Sequence, residues 1–255
     1  MAKTQCRIFK RLIDCDALLC TPAKNISDCR ETMAGLQISA RVVRNRDSLR
    51  TAPEYHNQQL LQAVAGDGTL IPALFLTPDG VTPEYDLPQY LQRCIAAGLR
   101  IAWTAPVLQP YLLEYPFRAW CAGELFAALS RHRLPLLLEW PDISFTDLHE
   151  VLSAFPELRV IVTGLNRLGR QHTVEVLLQQ HPGLYLCFSP RFSVHGGYAS
   201  LCRRYGANRF VWGSGYPEAE GGAALTGLLY AGLEPLDLQQ VAYLNIERLL
   251  QEVRP

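Results

Sequence analysis

The feature that most constrains this chain is an alternation: short, nearly continuous apolar runs are separated by longer segments of helical period, each pair taking about 25 to 35 residues. Such alternation builds βα units around a parallel sheet. The spacing predicts strands at 11–16, 38–44, 69–76, 100–104, 134–140, 159–163, 184–189 and 209–214. Eight is the number that closes a (β/α)8 TIM barrel. Runs such as Leu136-Leu137-Leu138 and Val160-Ile161-Val162 suit strands covered by helices outside and by packed side chains inside.

The helical segments carry their own punctuation. Ser144 opens one whose apolar positions Leu148, Val151, Leu152 and Phe155 fall on one face, and Pro156 closes it. Another follows Asp86, with Pro88 in its first turn and Gly98 past its end. A final helix is expected from Pro235 through Val241, Leu244, Leu249 and Leu250. No linker divides the chain, so 1–255 reads as one domain.

Composition excludes several function classes. At 49% hydrophobic and 19% charged, the chain can bury a large core and is not disordered. Lys+Arg and Asp+Glu both number 24 and are scattered, which leaves no footprint for nucleic acid. No apolar run is long enough to cross a bilayer, and the expectation is a cytoplasmic protein without a membrane partner. Eight cysteines then read as reduced, and Cys15, Cys20 and Cys29 match no zinc spacing.

In barrels of this kind function sits at the C-terminal ends of the strands. Arg209-Phe210-Val211-Trp212-Gly213-Ser214-Gly215-Tyr216-Pro217 resembles the Gly-Ser-Asp-Tyr-Pro stretch that ends strand eight in the metal-dependent amidohydrolase family. Three further segments resemble the same family: Ile13-Asp14-Cys15-Asp16-Ala17-Leu18, its opening Ile-Asp-x-His-x-His; Pro156-Glu157-Leu158-Arg159, its lead into strand six; and Tyr243 to Leu250, its asparagine-containing terminal helix. They come in the right order and span nearly the whole chain.

The resemblance implies metal ligands at the two histidines after strand one, at histidines after strands five and six, and at the aspartate after strand eight. Here those positions hold Asp16, Leu18, Glu139, Gly164 and Gly215. Leucine and glycine offer no donor, and two carboxylates do not make a zinc-type site. The expectation is no metal and no cofactor, and so no metal-made hydroxide at neutral pH.

Two readings remain open. In the first, the chain is an amidohydrolase-like barrel without metal catalysis, a pseudoenzyme that binds a small anionic ligand or a partner. Arg44, Arg167 and Arg191 would supply guanidinium forks, and Trp103, Trp140 and Tyr216 apolar walls. In the second, it is a metal-independent hydrolase of a small carboxylate or lactone, an activity the resemblance permits, with Asp16, Glu139 and His195 as acid and base. Asp16 and Glu139 read equally as polar fillers of former ligand sites, and His195 as a solvated loop histidine. His56, His132, His149, His172 and His181 fall in or at the ends of outer helices and receive no role. A homo- or hetero-oligomer is compatible with the leucines at 225, 228, 229 and 233, which read more simply as a face turned to the barrel.

Overall fold

The computed structural model describes residues 9–20, 22–80, 85–106, 115–140, 143–166, 171–192 and 197–255, with the side chains of 22–24 left out. Eight parallel strands pair in sequence order: β1 (Ile13–Leu19), β2 (Ala40–Asn45), β3 (Leu70–Phe75), β4 (Ile101–Thr104), β5 (Leu136–Glu139), β6 (Val160–Thr163), β7 (Leu184–Phe188) and β8 (Phe210–Trp212). The ring is drawn together between its first and last strands, where Ala17 bridges Tyr216 and the Leu18 amide donates to the Tyr216 carbonyl at 2.9 Å. The protein is a single-domain (β/α)8 TIM barrel.

Outer helices follow each strand: α1 (Pro22–Gly35), α2 (Pro53–Ala63), α3 (Leu87–Ala96), α4 (Ala119–Arg131), α5 (Phe145–Ala154), α6 (Gln171–Gln180), α7 (Gly197–Tyr205) and α8 (Gly221–Leu229). The local signals act as expected. Ser144 caps α5 by accepting from the Asp147 amide at 3.1 Å, and Leu148, Val151 and Leu152 turn inward. Asp86 caps α3 through the Gln89 amide, and Gly98, at φ +103°, supplies the left-handed residue that lets the chain turn back toward β4.

All eight expected strands exist, but the first two lie further along the chain than the sequence places them. Arg11 and the segment 38–39 are outside the sheet, while Leu19 and Asn45 are inside it. The final helix runs without a break from Pro235 to Gln251, as expected, but its winding changes along the way. It comprises α9 (Pro235–Gln239), a π turn (Gln240–Leu244) and α10 (Asn245–Gln251). Asn245 is buried there, and its amide donates to the carbonyls of Ala207 at 2.8 Å and Phe210 at 2.7 Å, which pins this terminal segment onto the start of β8.

One irregularity decides where the charges go. Between Asp14 and Ala17, β1 advances three residues while β2 advances two, from Arg41 to Val43. This is a β-bulge, which re-aims the side chains around it. Asp14 and Asp16 would share a face of a regular strand. Here the Asp14 carboxylate accepts from the Asp16 amide at 3.0 Å and points to the outer layer, whereas Asp16 points into the barrel mouth.

Candidate functional site

Arg44 leaves β2 inward and binds two carboxylates. Nη2 donates to Asp16 Oδ1 at 2.7 Å, and Nη1 donates to Glu139 Oε2 at 2.9 Å, so one guanidinium joins β1, β2 and β5. Trp103 of β4 lies behind it, with its ring centroid 5.5 Å from the guanidinium carbon. Asp16 and Arg44 are buried, while the Glu139 side chain is 32% exposed. Burial pushes Asp16 up to about 6; the Arg44 charge acts against that shift, and Glu139 and Asp14 add to it.

Above this trio lies a cavity of about 30 Å³, room for a water or two, bordered by Asp16, Arg44, Glu139, Ser189, Arg191 and Tyr216. Ser189 is 2% exposed, and its hydroxyl has no hydrogen-bond partner among the described residues. The buried Trp103 Nε1 and Thr163 Oγ1 are unpartnered in the same sense. Arg191 stands at the rim, bound to Glu218 at 3.1 Å, and Glu218 also approaches Arg46 at 3.6 Å.

Of the residues singled out from sequence, Asp16, Glu139, Arg44, Arg191 and Tyr216 therefore meet around one cavity. Trp103 acts from behind Arg44. Trp140 turns away and stacks on Phe145 of α5, with centroids 4.3 Å apart. Arg167 and His195 lie outside the described residues. Ser189 was missed: as the last residue of an expected strand it stood at the right place, but a lone serine carries no motif.

The donor set does not fit a divalent metal. Of the five positions that resemble the family's ligands, only Asp16 and Glu139 carry donors, and Arg44 already holds both. Gly215 has φ +71°, and a Cβ there would meet Ala219 and Pro190 at 3.3–3.4 Å. At Gly164, φ is +67° and a Cβ would lie 3.0 Å from the Trp140 carbonyl and 3.2 Å from Glu139 Cγ. Ligating side chains at these two places would be strained as well as crowded. Among the described residues no group of three or more His, Cys, Asp or Glu is arranged to hold a metal ion.

A second charged cluster sits outside the sheet. Arg41 Nε donates to Asp14 Oδ2 at 2.8 Å, and Nη1 reaches the Cys29 carbonyl at 3.1 Å and Thr32 Oγ1 at 3.0 Å on α1. Ser214 donates to Asp14 from both its amide (2.8 Å) and its hydroxyl (2.5 Å). The Tyr216 ring covers the guanidinium at 4.8 Å. Gly213 permits the close approach of β8 to β1, since a Cβ there would lie 2.5 Å from Asp16 Cβ and 2.6 Å from Cys187 Sγ.

Fold and site together define an amidohydrolase-type barrel whose mouth is organised by an arginine. The chain belongs to the amidohydrolase family, whose model matches residues 22–251. No curated protein matches it in sequence. Among solved structures it resembles an uncharacterized TIM-barrel protein from Bordetella bronchiseptica, at 17% identity and TM-score 0.70, over 95% of this chain and 99% of that one. It also resembles 2,6-dihydroxybenzoate decarboxylase from Rhizobium (12%, TM-score 0.71, 95% and 99%). A third is a probable 2-pyrone-4,6-dicarboxylic acid hydrolase from Acinetobacter baumannii with citric acid bound (13%, 0.71, 94% and 99%). At these identities the likeness is one of fold.

Proposed function

We propose that this protein has exchanged metal-dependent hydrolysis for binding at the barrel mouth, as a pseudoenzyme that takes a small molecule or a partner. The carrying observation is the Arg44 bridge between Asp16 and Glu139. A guanidinium supplies the positive charge that holds two carboxylates together, but it has no lone pair or open coordination position with which to acidify water. The buried, unpartnered Ser189 hydroxyl at the cavity supports a ligand with a polar group of its own. An anionic ligand would meet Arg191 at the rim, where half-exposed Glu218 is its partner, whereas Arg44 is buried between two carboxylates. No helix of the described residues is long and apolar enough to cross a membrane.

The test is elemental analysis of purified protein before and after incubation with zinc, manganese and iron, beside an Asp16→Ala/Glu139→Ala variant. The reading expects no stoichiometric metal that depends on Asp16 and Glu139. Metal bound by the parent and lost from the variant would sink it.

A second reading has one observation in its favour. A carboxyl group titrating at about 6 can act as base near neutrality. Asp16 would take a proton from water as the hydroxide adds to a lactone carbonyl, Arg191 would face the oxyanion, and the ring oxygen would leave with a proton returned by Asp16. The cavity beside Asp16 is only about 30 Å³, so the body of such a substrate would sit at the rim. Metal-free lactone hydrolysis rising through pH 6 and abolished in Asp16→Asn would establish this reading over the first.

A further inference from the structure

His149 and His181 stand at the other end of the barrel from Asp16, since His181 lies on the short turn that leads into the start of β7. His149 projects from the exposed face of α5, and His181 follows α6 with only 7% of its surface exposed. Nδ1 of His149 and Nε2 of His181 are 2.9 Å apart, with the rings inclined at 61°. They border a cavity of about 400 Å³ that Ser153 and Gln180 also line. The turn carrying His181 is fixed by Arg209, which donates to the carbonyls of Leu178, His181 and Leu184.

Two ring nitrogens at this distance share either a proton or a cation. An ion about 2.0 Å from each nitrogen, with the two bonds at a right angle, sets the nitrogens about 2.8–2.9 Å apart, whereas tetrahedral bonds open that distance to about 3.3 Å. The observed 2.9 Å is also that of an N–H···N hydrogen bond, the form in which the pair stands without an ion. We propose that His149 and His181 form a two-imidazole site for a divalent ion of tetragonal preference, copper(II) foremost and nickel(II) next, with water from the adjoining cavity at the remaining positions. The order follows from imidazole affinity along the first-row series. Bound there, the ion ties α5 to the turn between α6 and β7. The carboxylates at the mouth take no part, so this site stands independently of the function proposed above.

The experiment is titration of the full chain with copper(II) at pH 7.4, followed by calorimetry and electron paramagnetic resonance, and repeated with nickel(II), which does not oxidise the chain's cysteines. The parent is compared with His149→Ala, whose side chain lies at the surface and leaves the core intact, with His181→Gln, and with Asp16→Asn/Glu139→Gln. One equivalent bound, a two-nitrogen hyperfine pattern, and affinity lower by about tenfold or more in both histidine variants are expected, with the mouth variant unchanged. Equal affinity in His149→Ala, loss only in the mouth variant, or no binding up to concentrations on the order of 100 µM would each overturn the site and leave the histidines as a hydrogen-bonded pair. The zinc, manganese and iron analysis of the mouth is repeated on His149→Ala, so that metal at one end is not counted at the other.

Discussion

Two arginines three residues apart on β2 face opposite layers, and each meets a carboxylate from β1. Around Arg41 the surroundings are closed. Asp14, Ser214, Cys29, Thr32 and Tyr216 enclose a pair with no exposed surface, joining β1, β2, β8 and α1. Around Arg44 one side is open: Glu139 is partly solvated, Ser189 has no partner, and a small cavity begins. The same chemistry therefore serves two ends. Enclosed, an ion pair positions elements even though Arg41 Nη2 finds no partner among the described residues; left with an open side, it makes a surface that something else can complete.

The sharpest way to break this comparison is at the closed cluster. Arg41→Met strands Asp14 as a buried carboxylate held by Ser214 and one amide, and removing one partner of such a pair costs about 3–5 kcal/mol. Urea unfolding is expected to show a loss of that size. A loss below about 1 kcal/mol would mean that Arg41 is no more structural than a surface pair.

The next effect belongs to the open cluster and is read through pH. The folded-state value of Asp16, about 6, lies above its ordinary 3.8. Between those values the folded chain holds a proton that the unfolded chain releases. The stabilisation from this proton is full below about pH 4, fades as pH rises through 6 and is absent above about 7. The shift corresponds to at most about 3 kcal/mol, shared with Arg44 and Glu139. Unfolding free energies measured from pH 4 to 8 are expected to decline over this window in the parent and to decline less in Asp16→Asn. Parallel curves would place the titrating group elsewhere.

Smaller again is Arg44→Met. It leaves Asp16 and Glu139 facing one another without a cation, but Glu139 reaches water and Asp16 can take up a proton, so about 1–2 kcal/mol is expected at neutral pH. The Asp16 titration, followed by carboxyl carbon NMR, should move above 6. If it does not, the Arg44 charge is not what holds Asp16 down.

How much of this was legible in the sequence follows from what each feature depends on. Periodicity and caps placed eight strands and the start of α5, because those are local. The apolar run at Val160 to Val162 could only be a covered strand. Arg residues blurred β1 and β2: Arg11 lies just before β1 and pairs with Glu247 at the surface, whereas Arg41 and Arg44 of β2 are buried against carboxylates that no local pattern reveals. The resemblance brought Asp16 and Glu139 to one cavity, but the bulge that separates Asp14 from Asp16 has no sequence mark. Nor does the pairing of Arg44 with residues 28 and 95 positions away. Trp140 read as a wall of the mouth because it follows β5, yet Phe145, five residues on, offers it a ring to stack against and draws it outward.

The smallest expected effect is the most informative about the mouth. Ser189→Ala removes a hydroxyl that has no partner among the described residues, so no hydrogen bond is lost and stability should change by no more than about 0.5 kcal/mol, in either direction. A loss of 2 kcal/mol, roughly that of a buried hydrogen bond broken on one side, would show that the hydroxyl is bound within the fold and that the cavity is merely a packing gap. The same variant should weaken any ligand found at the mouth, because that ligand would then leave a buried polar group of its own unmatched. Ser189 thus separates the two arginine clusters by a property that distance cannot show: at Arg41 every substitution is expected to register in stability, whereas at the mouth one buried residue should be silent until something binds.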